Sequence, residues 1–192
     1  HVSIYFQAYN HLEDYTKPAI AALLRYTAEI DYELILVDNG STDGTFEFFK
    51  TVEHPRKRIY RITKNIGAFY AYRAAKYATC GRFLRGKYYL GLPNDILVTK
   101  NWLRNMLICM ESDEHIGFVV PMSDNVSNLQ EVDLGYSDFE DMQEKAAAFN
   151  VSDPRKWHDR VRLIPTVCMI RTALREFYEA DYAFIYEFSD DD

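Results

Sequence analysis

The chain of 192 residues, 48% of them hydrophobic and 27% charged, has ordinary globular composition and is long enough for one domain with a hydrophobic core. Its 29 acidic and 22 basic residues give a net charge of −7, which disfavours nucleic acid as a partner. The three cysteines lack paired spacing and no apolar run approaches the roughly 20 residues of a membrane span, so we expect a cytoplasmic protein with no transmembrane segment in this chain.

Short apolar runs alternate with helical patterns over the first two thirds of the chain. Strands are predicted at Val2–Phe6, Glu33–Val37, Arg58–Ile62, Tyr88–Leu92 and Ile116–Val120. Helices are predicted at Lys17–Ile30, Thr45–Val52, Gly67–Thr79 and Lys100–Glu111. This alternation with short connections predicts an α/β fold, in which a mostly parallel central sheet is flanked by helices.

The pattern weakens between Met122 and Arg162, where we expect an insertion over the sheet edge. Two roles for this insertion stay open, a structural crossover and a cover over the substrate. A strand-like pattern returns at Leu163–Ile170, and a helix beginning at Thr172 leads through aromatic residues to the acidic end.

Polar residues follow four of the predicted strands. Because ligands of such sheets bind beyond the carboxyl ends of the strands, the loops after the strands are the places to search for a site. These loops contain Tyr9–Asn10, Asp38–Asn39, Asn65–Gly67 and Asn94–Asp95.

Two of these loops contain carboxylates whose role can be interpreted in more than one way. Asp38 directly follows a buried-looking strand, where it could accept hydrogen bonds from a base or ribose, or could equally cap the turn before the next helix. Asp95 offers a hard oxygen ligand for Mg²⁺ or Mn²⁺ at the end of a strand. Its alternative role as a helix cap is weaker, because Thr99 lies nearer to the helix.

The chain ends on the acidic cluster Asp190, Asp191 and Asp192. If this cluster is partly buried, repulsion between like charges favours one of the carboxyl groups as a base. The competing interpretation is a solvated acidic tail, which is common at chain ends.

Taken together, these segments resemble family 2 glycosyltransferases of the GT-A fold. The most specific segment is the run from Val37 to Thr45, with the sequence VDNGSTDGT. It is accompanied, in the family's order, by Val2–Asn10, Asn65–Gly67, Leu92–Asp95 with Trp102–Leu103, and Phe188–Asp192.

The resemblance implies an inverting enzyme that moves a sugar from a nucleotide-diphosphate donor to a hydroxyl of a glycan, glycolipid or protein acceptor. It implies that Asp95 holds a divalent metal, Mn²⁺ or Mg²⁺, on the diphosphate, and that Asp190, with Asp191 as second choice, is the general base. The donor-binding residues that it implies are Gln7, Tyr9, Asp38, Asn39, Asn65, Gly67, Arg73 and Asn94.

The resemblance also implies a division of the chain and a cellular setting. We expect a single domain over residues 1–192, in which residues 1–121 bind the nucleotide sugar and residues 122–192 form the acceptor-side half, truncated at its C-terminus. The family suggests polysaccharide or glycolipid biosynthesis, in the cytoplasm or peripherally at the inner face of the membrane.

Some positions depart from the family pattern. Pro93 and Asn94 precede a single Asp95 where the family often has two or three acidic residues, and Ser189 replaces the usual Glu. Arg73 stands where many relatives have Asn, and could pair with a phosphate or be a solvated helix residue. A catalytically weak or inactive domain that only binds a nucleotide sugar or glycan is therefore the alternative function.

Overall fold

The computed structural model of the protein describes residues 1–68, 71, 83–126, 128–160, 163–164 and 166–174. The strands are β1 (Val2–Ala8), β2 (Tyr32–Asn39), β3 (Lys57–Ile62), β4 (Tyr88–Pro93), β5 (Phe118–Val119) and β6 (Met169–Arg171). The α-helices are α1 (Lys17–Thr27), α2 (Thr45–Thr51), α3 (Trp102–Ser112) and α4 (Phe139–Phe149). Shorter helical turns cover Leu12–Thr16, Asn128–Gln130, Pro154–Lys156 and Thr172–Leu174.

The described strands form one six-stranded sheet in the order β3-β2-β1-β4-β6-β5. The first four strands along the chain pair in parallel, while β6 is antiparallel to both of its neighbours. The predicted α/β fold with a mostly parallel sheet is therefore confirmed. The carboxyl ends of β1 to β4 share one edge of the sheet, which we call the carboxyl edge.

Burial on both faces explains why the central strands are almost continuously apolar. All eight residues of β2 are buried. Helices α1, α2 and α3 cover one face, through buried side chains that include Ile20, Leu23, Phe49, Leu103 and Met106. The other face packs its own cluster, which comprises Tyr5, Ile35, Val37, Phe83, Leu84, Tyr89 and Ile170.

The helix predicted at Gly67–Thr79 lies largely outside the described residues. Within it, Ala71 is fully buried, and its N–H donates to the carbonyl oxygen of Gly67 over 3.0 Å, as in a helix.

The segment between β5 and β6, for which an insertion over the sheet edge stays a prediction, contains α4. Gln143 donates to the carbonyl oxygen of Val98 over 3.1 Å and accepts from the N–H of Lys100 over 3.2 Å. These bonds reach the connection between β4 and α3. The segment therefore supports the loop that carries Asn94 and Asp95.

Several element bounds differ from the predictions. Leu12–Thr16 forms a π-helical turn where a loop was expected. The strand predicted at Leu163–Ile170 is limited to Met169–Arg171, because only Tyr88–Leu90 of β4 pair with it. None of the helices in the described part of the chain has the length and hydrophobicity that crossing a bilayer requires.

Candidate functional site

The carboxyl edge brings the four predicted polar loops to one side of the sheet. Ala8 lies opposite Asp38 in the register of β1 and β2, and Gln7 lies opposite Pro93 in that of β1 and β4. Successive strands run from β1 to β3 in one direction, and β4 then joins the other side of β1. Such a reversal of strand order opens a crevice, which is where sheets of this type bind ligands.

The first and second loops are joined by hydrogen bonds through Asn10. Its N–H donates to Ser41 Oγ over 2.9 Å, and its side-chain Oδ1 accepts from the N–H of Thr42 over 2.9 Å. The N–H of Leu12 donates to Asp43 Oδ2 over 2.8 Å. Asn10 has a left-handed backbone with φ of 54°, which asparagine tolerates better than most residues. The two loops therefore form one platform.

The third loop is held against the second by two asparagines. Asn39 is 2% exposed, and its side-chain amide donates to Asn65 Oδ1 over 2.9 Å. Asn39 Oδ1 accepts from the N–H of Ile66 over 3.2 Å, while Asn65 Oδ1 also accepts from the N–H of Gly67 over 2.9 Å. Asn39 thus anchors the third loop, whereas Asn65 and Gly67 are exposed at the edge.

Gly40 allows these two loops to approach closely. Its φ is +81°, and a Cβ atom at this position would lie 2.4 Å from the carbonyl carbon of Lys64. Any side chain here would therefore push the third loop away from the second.

The fourth loop is tied to the first through Asn94. Its amide donates to the carbonyl oxygen of Asn10 and to Thr16 Oγ1, both over 3.0 Å. Thr16 is fully buried at the end of the π-helical turn. Both amide hydrogens of Asn94 are thus used within the protein, so this residue positions the loop that carries Asp95.

Asp38 makes the turn contact that was one of the two roles the sequence left open, while its ligand-binding role stays a prediction. It is fully buried, and its Oδ1 accepts from the N–H of Ser41 over 3.0 Å, which stabilises the turn. Its Oδ2 is also buried, yet it accepts no hydrogen bond from any residue that the structure describes. Because an unpaired buried carboxylate oxygen is costly, this atom is a candidate acceptor for a ligand N–H or O–H.

Arg61, which the sequence did not single out, lies opposite Asp38 in the register of β2 and β3. Arg61 Nε is 3.4 Å from Asp38 Oδ2, and Nη2 donates to the carbonyl oxygen of Ser41 over 3.3 Å. The guanidinium also lies 4.7 Å from the ring centroid of Phe46. An arginine at the end of an edge strand resembles a solvated residue in sequence, and only the parallel register indicates its partner.

The remaining predicted site residues have varied surroundings. Gln7 Oε1 accepts from the hydroxyl of Tyr5. Tyr9 is 43% exposed at the end of β1, and Asp95 is exposed after β4. Arg73, Asp190 and Asp191 lie outside the described residues.

Asp95 is the carboxylate that the sequence offers for a divalent cation at this edge. Among the described residues there is no group of three or more His, Cys, Asp or Glu side chains arranged to hold a metal. Asp95 has no hydrogen bond or ion pair with a described residue, so its oxygens are available as ligands. A single carboxylate suits a Mg²⁺-like ion that takes its other ligands from phosphate and water.

Comparison with known proteins gives the family. A model described as glycosyl transferase family 2 matches residues 3–173. The chain belongs to glycosyl transferase family 2. No curated protein matches this family 2 chain.

Solved structures resemble this family 2 glycosyltransferase domain in fold. One is the mannosyltransferase PcManGT from Pyrobaculum calidifontis in complex with GDP-Man and Mn²⁺, with 19% identity and a TM-score of 0.56, covering 92% of this chain and 46% of that one. Another is S. aureus TarS 1-349 in complex with UDP, with 20% identity and a TM-score of 0.59, covering 93% of this chain and 48% of that one. The same TarS fragment with UDP-GlcNAc gives 20% identity and a TM-score of 0.59, covering 93% and 47%.

The chain spans about half the length of these similar structures. These similar structures are glycosyltransferases with the GT-A fold. Their similarity confirms the GT-A fold that the sequence predicted.

Proposed function

We propose that the protein binds a nucleotide-diphosphate sugar at the carboxyl edge and transfers the sugar, with inversion, to an acceptor hydroxyl. The buried Oδ2 of Asp38 carries this proposal, because it is a charged acceptor at the edge that accepts no hydrogen bond from the described residues. Ligand N–H or O–H groups of a nucleobase or ribose would complete its hydrogen bonding. Family membership and the nucleotide complexes of similar folds support this choice of ligand.

In this proposal the four loops contact different parts of the donor or support one another. Gln7 and Tyr9 line the nucleoside pocket with Asp38, while Asn65 and Gly67 approach the donor from the third loop. Asn39 and Asn94 contribute by holding these loops in register, and Arg73 pairs with a phosphate.

Asp95 would hold a divalent metal, Mn²⁺ or Mg²⁺, together with the donor diphosphate. The similar mannosyltransferase structure with Mn²⁺ supports this proposal, as does the exposed carboxylate of Asp95 after β4. When bound, the metal would neutralise the charge that develops on the leaving diphosphate.

Transfer requires a base for the acceptor hydroxyl. Asp190, with Asp191 as second choice, would take the hydroxyl proton as the acceptor oxygen bonds to the anomeric carbon and the bond to the diphosphate breaks. Direct displacement from the opposite side inverts the anomeric configuration. The acceptor would be a glycan, glycolipid or protein in polysaccharide or glycolipid synthesis, in the cytoplasm or at the inner face of the membrane.

Calorimetric titration with UDP, GDP, dTDP and CDP, with and without Mn²⁺, tests the donor site. We expect metal-dependent binding of at least one nucleotide, lost in Asp95→Asn and weakened by about tenfold or more in Asp38→Asn. Glu114→Gln is a matched control, because it removes an exposed carboxylate between α3 and β5, away from the carboxyl edge. Absence of binding to all four nucleotides by the folded protein would overturn the proposal.

Turnover separates the enzyme from the alternative of a binding-only domain. The single carboxylate of the metal motif is the observation that favours the alternative. Incubation of the protein with the matching nucleotide sugar and Mn²⁺, followed by detection of released nucleoside diphosphate, gives the answer. Release that is lost in Asp190→Asn supports the transferase, whereas tight binding without release across varied acceptors supports the binding domain.

A further inference from the structure

The ion pair between Asp38 and Arg61 differs from the other contacts at the carboxyl edge. The Asp38 side chain is fully buried, whereas 42% of the Arg61 side chain is exposed. Arg61 Nε lies 3.4 Å from Asp38 Oδ2, but the contact lacks the geometry of a hydrogen bond. The guanidinium therefore compensates the buried charge and leaves the acceptor oxygen unused.

Other contacts hold the guanidinium in this place. It lies 4.7 Å from the ring centroid of Phe46 at the start of α2, and it donates to the carbonyl oxygen of Ser41 over 3.3 Å. The N–H of the same Ser41 donates to Asp38 Oδ1. The turn at Ser41 thus contacts both the carboxylate and the guanidinium.

The buried Asp38 carboxylate needs a compensating positive charge or hydrogen bonds. A carboxylate taken out of water without compensation is strongly destabilised, and an arginine hydrogen-bonded to both oxygens would remove it from ligand binding. Asp38 Oδ1 accepts the N–H of the turn residue Ser41, whereas Asp38 Oδ2 has the Arg61 guanidinium at ion-pair distance. Hydrogen bonds join the loops around this carboxylate.

We propose that Arg61 is a positioning residue for donor binding, which compensates the buried Asp38 carboxylate and keeps it aimed at the nucleoside. The proposal rests on the proposed function, because the ligand of Asp38 is taken to be the nucleoside part of the donor. Arg61 acts through Asp38, so its contribution to affinity depends on the charge of that residue.

A double-mutant cycle with Arg61→Met and Asp38→Asn tests this dependence. In the wild-type background, we expect Arg61→Met to lower the midpoint of thermal unfolding and to weaken UDP or GDP binding by about tenfold. In the Asp38→Asn background, where no buried charge needs compensation, both effects should largely disappear. Circular dichroism establishes that each variant is folded.

Two further variants separate positioning from general electrostatics. Arg61→Lys retains the charge beside Asp38 and should recover most of the affinity that Arg61→Met loses. Lys64→Met removes an exposed positive charge from the neighbouring loop and should leave the coupling to Asp38 unchanged.

Each outcome bears on a distinct claim. Equal effects of Arg61→Met on stability in the two backgrounds would overturn the role of Arg61, as would equal losses of nucleotide affinity. Failure of the wild-type protein to bind any of UDP, GDP, dTDP and CDP would overturn the proposed function together with this role.

Discussion

The side-chain amide of Asn39 donates to the side-chain carbonyl oxygen of Asn65 over 2.9 Å, although 26 residues separate the two in sequence. Asn39 ends β2, and Asn65 lies in the loop after β3. Because the bond joins two loops of the proposed donor site, the direction of donation can be tested by exchanging each amide for a carboxylate.

We predict that Asn39→Asp is damaging and Asn65→Asp is tolerated. Asn39→Asp removes the donor and sets two acceptors against each other, whereas Asn65→Asp retains the oxygen that accepts from Asn39 and Gly67. Asn39→Asp should cost about 1–3 kcal/mol of unfolding free energy, measured by chemical denaturation, and should weaken nucleotide binding. Equal stabilities of the two variants would contradict this assignment of donor and acceptor.

Gly40 offers a test of the close approach between the second and third loops. Gly40→Ala should destabilise the protein more than Gly135→Ala, although both glycines have left-handed backbones, with φ of +81° and +58°. A Cβ at Gly135 meets nothing within 4 Å, so Gly135→Ala carries only the backbone cost of about 1–2 kcal/mol. Thermal unfolding of the two variants isolates the contact with Lys64, and matching midpoints would argue against loop crowding.

Asn94→Asp tests whether a more acidic metal motif improves the site. The change creates a second carboxylate beside Asp95 but removes both hydrogens that Asn94 donates to Asn10 and Thr16. We expect a loss of about 1–3 kcal/mol in unfolding free energy and no gain in Mn²⁺-dependent nucleotide affinity. A stable variant with tighter Mn²⁺-dependent nucleotide binding would show that the hydrogen bonds from Asn94 to Asn10 and Thr16 are dispensable.

His54 predicts a pH dependence of stability. Burial lowers the pKa of His54, and the nearby positive charge of Arg56 lowers this pKa further. The unfolded chain, with an ordinary histidine pKa near 6.5, therefore takes up the proton first as the pH falls. The stability that His54 contributes is present above that value and is lost as the pH falls through the lower pKa of the folded state.

Chemical denaturation between about pH 7 and pH 5 measures this effect. The free energy of unfolding should fall more steeply with decreasing pH in the wild type than in His54→Gln. His54 also packs its ring against Tyr32 at 4.4 Å between centroids, so the variant loses some stability at every pH. His158→Gln removes an exposed histidine as a control, and parallel profiles of wild type and His54→Gln would refute the prediction.

The parallel strands were predictable because local patterns of apolar and polar residues indicate them. The central strands of the parallel sheet, β1, β2 and β4, are largely apolar runs, and the polar loops that follow the strands mark the carboxyl edge. Strand β6 was predicted too long, because three residues acquire their strand conformation from pairing with β4 and β5, which are distant in sequence.

The site was predictable at the level of loops but not of contacts. Asp38 was correctly located at the end of a buried strand, with its turn-capping role weighed as an alternative. Some contacts depend on how separate loops approach one another. They are the hydrogen bonds made by Asn10, Asn39 and Asn94, and the ion pair of Arg61 with Asp38. That approach is set by strand register, which no single segment of sequence encodes.

The position of β6 between β4 and β5 also bears on how the protein folds during synthesis. Strands β1 to β4 are complete once Pro93 has been made, whereas β5 pairs, among the described strands, with β6 alone, whose last residue is Arg171. A nascent chain therefore exposes the free edge of β4 while the ribosome adds the next seventy-odd residues. Strands β1 to β4 can therefore assemble before β6 and β5 complete the sheet, and in that interval the edge of β4 can pair with a strand of another chain.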